Sequence, residues 1–129
     1  MKKEIIQTNK APKPSGSYSQ AVKLGDLVYV AGTCPFDLAT GEVLYPGDMK
    51  RQTSVVLQYM EEILQAAGTS LHNVVKVTSF IDDLNAFQTY NRVYEAFFKE
   101  EPPARSTIEV GKFPPGMCVE IECIAYVAL

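Results

Sequence analysis

Arg105 is the side chain in this sequence best suited to holding an anion. It begins the alternating segment Arg105–Val110, directly after Pro102-Pro103-Ala104. A guanidinium does not deprotonate, so on a sheet face it must find an anion or reach water. Its planar fork suits a carboxylate through two parallel hydrogen bonds. A salt bridge to Glu109, Glu120 or Glu122 is the ordinary alternative. Glu120 and Glu122 share one face of the alternating segment Val119–Val127. In a partly buried site a carboxylate positions or deprotonates a water; a surface or interface ion pair is again the ordinary alternative. Tyr18, within Gly16-Ser17-Tyr18-Ser19-Gln20, either donates a hydrogen bond or packs.

Other chemistries are disfavoured. His72 is the one histidine, which excludes any mechanism needing two, and without a cluster of Cys, Asp or Glu at ligand spacing it makes no metal site. Cys34, Cys118 and Cys123 are odd in number and contain no CxxC, so a disulfide framework is not expected. Cys123 reads as a small core residue in a strand, whereas Cys34 and Cys118 fall in loops open to exposure or ligand contact. No phosphate-binding glycine loop, HExxH, GxSxG or dinucleotide fingerprint occurs. A net charge of −3 and a pI of about 5.1 argue against bulk nucleic-acid binding, which needs clustered Lys and Arg. No apolar run approaches the roughly 20 residues of a membrane helix, and Met1–Gln7 is basic without the apolar stretch of a secretion signal. The expectation is a cytoplasmic protein, with residues 1–129 forming one domain whose core draws on 47% apolar residues.

The elements that must position these groups follow from periodicity. Glu4–Gln7 is a short strand. Ala21–Leu24 and Leu27–Ala31 flank Gly25-Asp26 as a hairpin, and Gly32–Gly41 is a loop. Asp48 caps a helix to about Ala67, with Met49, Val56, Met60, Ile63 and Ala67 on its apolar face and Gly68 ending it. Val74–Ile81 is a β-branched central strand. Asp82 or Asp83 caps a second helix whose stripe is Leu84, Phe87, Tyr90, Tyr94 and Phe97, stopped by Pro102-Pro103. Arg105–Val110 and Val119–Val127 complete a ββ(β)–α–β–α–ββ order. Two helices cover one face of such a sheet. The other face is then expected to carry Arg105, Thr107, Glu109, Glu120 and Glu122, bathed in water or packed on another subunit.

Four segments, in order, resemble the RidA/YjgF family, also known as the reactive intermediate imine deaminase or L-PSP endoribonuclease and translation initiation inhibitor family. They are Gly16-Ser17-Tyr18-Ser19-Gln20-Ala21-Val22, Asp83-Leu84-Asn85 through Tyr94-Glu95-Ala96-Phe97-Phe98, Pro103-Ala104-Arg105-Ser106, and Val119-Glu120-Ile121-Glu122-Cys123-Ile124-Ala125. Together they reach from about Gly16 to Val127. The resemblance implies a chorismate-mutase-like α+β fold, with a mostly antiparallel mixed sheet, two helices on one face, and a homotrimer with sites between subunits. It implies hydrolysis of enamine and imine acids, such as 2-aminoacrylate and 2-aminocrotonate, to 2-keto acids and ammonia without metal or organic cofactor. Tyr18, Arg105 and Glu120 match the family's site residues, and Gly32 matches a loop glycine beside it. Ala31 stands where the best-studied deaminases place serine, Thr33 where glutamine is common, and Thr107 where cysteine is common. These differences bear on substrate range and turnover.

On this reading Arg105 clamps the substrate carboxylate, Glu120 positions the attacking water, and Tyr18 with groups near Gly32 and Thr107 closes the pocket. The partner is a small carboxylate metabolite. The rival readings are a non-catalytic binding or sensor module using the same pocket, and RNA cleavage or translational inhibition. If the last two strands pair as a hairpin, Arg105 faces about Ile124 and Glu120 lies roughly 13 Å along the sheet. A neighbouring chain is therefore expected to line the pocket around Arg105, with Phe87 a candidate wall residue from it.

Overall fold

The computed structural model describes residues 1–128. Six strands and two helices alternate as β1 (Glu4–Ile6), β2 (Ala21–Leu24), β3 (Leu27–Thr33), α1 (Met49–Ala66), β4 (Val74–Ile81), α2 (Phe87–Phe97), β5 (Ala104–Glu109) and β6 (Val119–Tyr126). The six strands form one mixed sheet in the order β1-β2-β3-β6-β4-β5. Every pairing is antiparallel except β4 with β5. This is the expected α+β architecture. No helix among the described residues is long and apolar enough to cross a membrane.

Both helices lie on the same face. Asp48 accepts a hydrogen bond from the Arg51 amide at 3.0 Å and starts α1. At the other end Gly68, at φ 87°, lets the Gly68 amide reach the Gln65 carbonyl and the Thr69 amide reach the Leu64 carbonyl, the paired bonds of a Schellman cap. Between them α1 buries Val56, Leu57, Met60, Ile63 and Leu64 against Val28, Val30, Val77, Val119, Ile121, Cys123 and Ala125 of the sheet. Asp83 caps a single 3-10 turn, Leu84–Ala86, that leads into α2. The buried stripe of α2 is Tyr90, Tyr94 and then Phe98, while Leu84 stays exposed. Phe98 follows Tyr94 by four residues and so continues its row, which Phe97 does not. Cys118 is buried rather than exposed, its amide donating to Gln52 Oε1 at 2.7 Å.

Two expectations about β5 fail. It does not form a hairpin with β6. Instead β6 inserts between β3 and β4, and β5 runs parallel to β4 after the α2 crossover. Nor do Arg105, Thr107 and Glu109 lie on the uncovered face. Arg105 is level with Val77, and Val77 with Cys123; both of those are core residues beneath the helices, so Arg105 is on the helix side. Alternation assigns residues to two faces without saying which is covered. On an edge strand the helix side stays within reach of water, so a long cation can sit there. The uncovered face carries Glu120, Glu122, Ile124 and Tyr126 of β6 with Thr78 and Phe80 of β4 and Ser106 and Ile108 of β5. Ile5, Leu27, Tyr29, Ile108 and Tyr126 are exposed there.

Candidate functional site

Arg105 is held by α2. Its Nη1 donates to Asn91 Oδ1 at 2.8 Å, and Asn91 Nδ2 in turn donates to Glu95 Oε1 at 3.1 Å. That second bond points the amide oxygen of Asn91 at the guanidinium. The Arg105 Cζ lies 4.4 Å from the Tyr94 ring centroid and 5.5 Å from those of Phe87 and Tyr90, a cation–π bed supplied by the helical stripe. Phe87 thus packs against Arg105 of its own chain. Among the described residues no carboxylate lies within ion-pairing distance of Arg105; the ion pairs there are Lys10–Glu62 and Arg51–Asp48. A cleft of about 630 Å³ opens at this point, lined by Asn91, Tyr94, Glu95, Lys99, Pro103 and Arg105 among others.

Two hydroxyls in this region, those of Tyr94 and Thr107, are buried without a hydrogen-bond partner. Burial first, then Tyr90, raises the Tyr94 phenol well above its ordinary pKa, against the opposing charge of Arg105, so it stays a neutral donor. Thr107 is level with Ser79, whose own hydroxyl already accepts from Tyr90 Oη at 2.6 Å.

Glu120 belongs to a different cleft, of about 370 Å³, shared with Ser15, Tyr18, Ala31, Gly32, Cys34, Phe36, Pro114 and Met117. The β3 strand creates it. Val30 pairs with Cys123 but Thr33 with Ile121, so one extra residue is accommodated at Ala31-Gly32. Such bulges bend a strand and re-aim its side chains. A Cβ on Gly32 would collide with the Glu120 carboxyl, whose Cδ would stand 2.9 Å away. Glycine therefore leaves the room that the carboxylate occupies. The Cys34 thiol donates to Glu120 Oε1 at 3.3 Å. Thr33 turns the other way: its side chain is buried and its hydroxyl donates to the Ala31 carbonyl at 3.0 Å. Tyr18 is 49% exposed, its hydroxyl accepting from the Ser15 amide at 3.2 Å.

Two buried glutamines hold the loops around this cleft. Gln20 Nε2 donates to the carbonyls of Thr8, Ala11 and Pro12, and its Oε1 accepts from the Thr8 amide. Gln52 Nε2 donates to the carbonyls of Leu44, Tyr45 and Gly116, and its Oε1 accepts from the Cys118 amide.

The sequence-predicted residues thus fall into two groups. Arg105, Thr107 and Phe87 meet under α2; Glu120, Tyr18, Gly32 and Ala31 meet at the β3 bulge. The groups lie on opposite sides of the sheet. β5 and β6 are separated by β4, and Glu120 is level with Phe80, three residues beyond Val77; with strands ~4.8 Å apart and ~3.3 Å per residue, the Cα atoms are roughly 14 Å apart. Sequence reasoning missed Asn91, Glu95 and the Cys34 contact. The four-residue spacing of Asn91 and Glu95 on one helix face was the available signal for the first two; nothing in the sequence points to the third.

A family model described as Endoribonuclease L-PSP matches residues 8–127. A RutC family protein of Pyrococcus abyssi is 49% identical over 126 residues, 98% of each chain. The crystal structure of RidA from an Antarctic Psychrobacter superposes with a TM-score of 0.89 at 42% identity, covering 96% of this chain and 99% of that one. The Escherichia coli TdcF structure with bound serine gives a TM-score of 0.88 at 40% identity, covering 97% and 99%; TdcF is named as a candidate reactive intermediate deaminase.

Proposed function

Because the chain belongs to the Endoribonuclease L-PSP family, the RidA/YjgF group, we propose that it is a deaminase that hydrolyses enamine and imine acids such as 2-aminoacrylate and 2-aminocrotonate to 2-keto acids and ammonia. The observation that carries this reading is Arg105: a cation fixed by Asn91, bedded on three aromatic rings and lacking an acid partner among the described residues. Such a group is preorganised for a carboxylate.

In the proposed reaction the enamine first tautomerises to the imine. Arg105 holds the carboxylate. A water adds to the C=N carbon, its oxygen forming the new bond while the π electrons move to nitrogen, which takes up a proton. Glu120 accepts the proton that the water gives up. The resulting carbinolamine expels ammonia and leaves the ketone. Free imines already hydrolyse in water, so positioning supplies the modest acceleration required.

Arg105 and Glu120 of one chain cannot share a small substrate across the sheet. The reading therefore includes a homotrimer in which the Glu120 cleft of one copy meets Arg105 of the next, and a cytoplasmic setting. The exposed apolar residues on the uncovered face, Tyr29 and Ile108 among them, suit association. The test couples the protein to a threonine dehydratase and measures the rate at which 2-aminocrotonate disappears. Faster loss than in buffer, abolished by Arg105→Ala, is expected; an uncatalysed rate with the wild type would overturn the reading.

A second reading, carboxylate binding without turnover, draws on Ala31, which brings no side-chain hydrogen bond to the cleft, and on TdcF, a relative with bound serine. Under it 2-oxobutanoate would bind through Arg105 while imine loss stayed at the buffer rate.

A further inference from the structure

We propose that Cys34 is a positioning residue for Glu120: its thiol holds Oε1 and so keeps Oε2 seated against Gly32 in the wall of the cleft, from which the attacking water would be received. The inference rests on the deaminase reading of Glu120, and three observations support it.

The first is the bond itself, Cys34 Sγ to Glu120 Oε1 at 3.3 Å. The contact joins residues far apart in sequence, on the loop after β3 and on β6. The second is the space on the other side of the carboxylate. The added Cβ at Gly32 would fall against Oε2, not Oε1. The two oxygens are therefore distinguished: one is donated to by the thiol, the other occupies the room left by the glycine. The third is protonation. Burial, then the charge of Glu120 and the hydrogen bond to it, push the Cys34 thiol far above its ordinary pKa. Cys34 is thus a donor at neutral pH and not a nucleophile, since the thiolate is the reactive form. It neither gains nor loses a proton in the reaction.

A fixed carboxylate matters because general-base catalysis depends on the base standing within hydrogen-bond reach of the proton it takes. With the thiol in place, rotation of the Glu120 carboxyl out of its seat against Gly32 must break the Cys34 bond. An alanine there would leave the carboxyl free to turn.

The test compares Cys34→Ala with Cys34→Ser, which keeps a donor. With 2-aminocrotonate as substrate, kcat should fall roughly 10-fold in Cys34→Ala while KM changes less than about 2-fold, and Cys34→Ser should recover most of kcat. A readout independent of turnover is the side-chain carboxyl ¹³C resonance of Glu120 in glutamate-labelled protein, assigned by its absence in Glu120→Gln. That resonance should move in Cys34→Ala and return towards its wild-type position in Cys34→Ser. Wild-type kcat in Cys34→Ala, or an unmoved resonance, would overturn the proposal. So would equal loss of kcat in the alanine and serine variants, which would make Cys34 a packing residue. If the wild type turns over no imine, the deaminase reading falls, and the resonance still decides whether Cys34 holds Glu120.

Discussion

Arg105 and Glu120 project from opposite sides of one sheet, on strands separated by β4. If both act on one small molecule, they must come from different copies of the chain. This gives a complementation experiment. Arg105→Ala and Glu120→Gln should each be nearly inactive alone. Mixed after dissociation and reassociated, random assortment in a ring with heterologous contacts leaves about a quarter of the sites with both native groups. Recovery near that fraction is expected, with light scattering reporting a trimer; no recovery from reassociated chains would refute the shared site.

Arg105→Lys keeps the charge and loses the fork. Lysine cannot donate to Asn91 and to a carboxylate with the same planar geometry. We expect kcat/KM to fall roughly 10- to 100-fold, with little change in melting temperature. Near-native turnover would show that Arg105 acts only as a distant charge.

Gly32→Ala is expected to damage the Glu120 cleft without damaging the fold. Gly32 is not among the residues at positive φ, so alanine meets no backbone objection. The obstacle is the Glu120 carboxyl, which must swing aside. A loss of kcat with an unchanged melting temperature is the expected pair, and a fully active variant would show that this carboxyl orientation is dispensable.

Gln52→Ala removes one side chain that serves three carbonyls and an amide. Buried groups left without partners cost about 1–3 kcal/mol each. With some of them rescued by water, we expect a loss of about 3 kcal/mol in denaturant titration. A loss under about 1 kcal/mol would mean that the loops at 44–45 and 116–118 are held by other contacts.

Stability should decline at high pH because of buried thiols. Burial, with the charge of Glu122 adding to it, raises Cys123 from its ordinary 9.0 to about 12. The unfolded chain then releases this proton before the folded chain does. The native state keeps its full advantage below the unfolded value and loses it as pH rises from about 9 towards 12. The melting temperature of Cys123→Ala should fall less steeply than that of the wild type over this window. Parallel curves would contradict it.

Periodicity revealed the helices, the β2–β3 hairpin and the two faces of β6, because each depends on neighbours within one element. It failed for β5. Arg105, Thr107 and Glu109 alternate correctly with Ser106 and Ile108, yet whether helix or solvent lies over them depends on α2, which is remote in sequence. The hairpin expectation failed for a related reason: Arg105–Val110 and Val119–Val127 are successive in sequence but not adjacent in the sheet. Gln20 and Gln52 resemble surface residues in composition. Their burial is decided by loop carbonyls that periodicity does not register. The β3 bulge is likewise a matter of register with β6, visible only once the strands are paired.

The place of β6 has a consequence for how the molecule is made. β6, the last strand among the described residues, is a central strand of the sheet, standing between β3 and β4. During synthesis, β1–β3 and β4–β5 therefore exist as two ribbons with no edge in common. Neither can complete its sheet until residues 119–126 have left the ribosome. Hairpin and crossover contacts form early, but the joining contacts are the most distant in sequence and so the slowest. A chain that terminates before Val119 would carry two unfinished edges and an uncovered apolar layer, the condition under which nascent proteins aggregate.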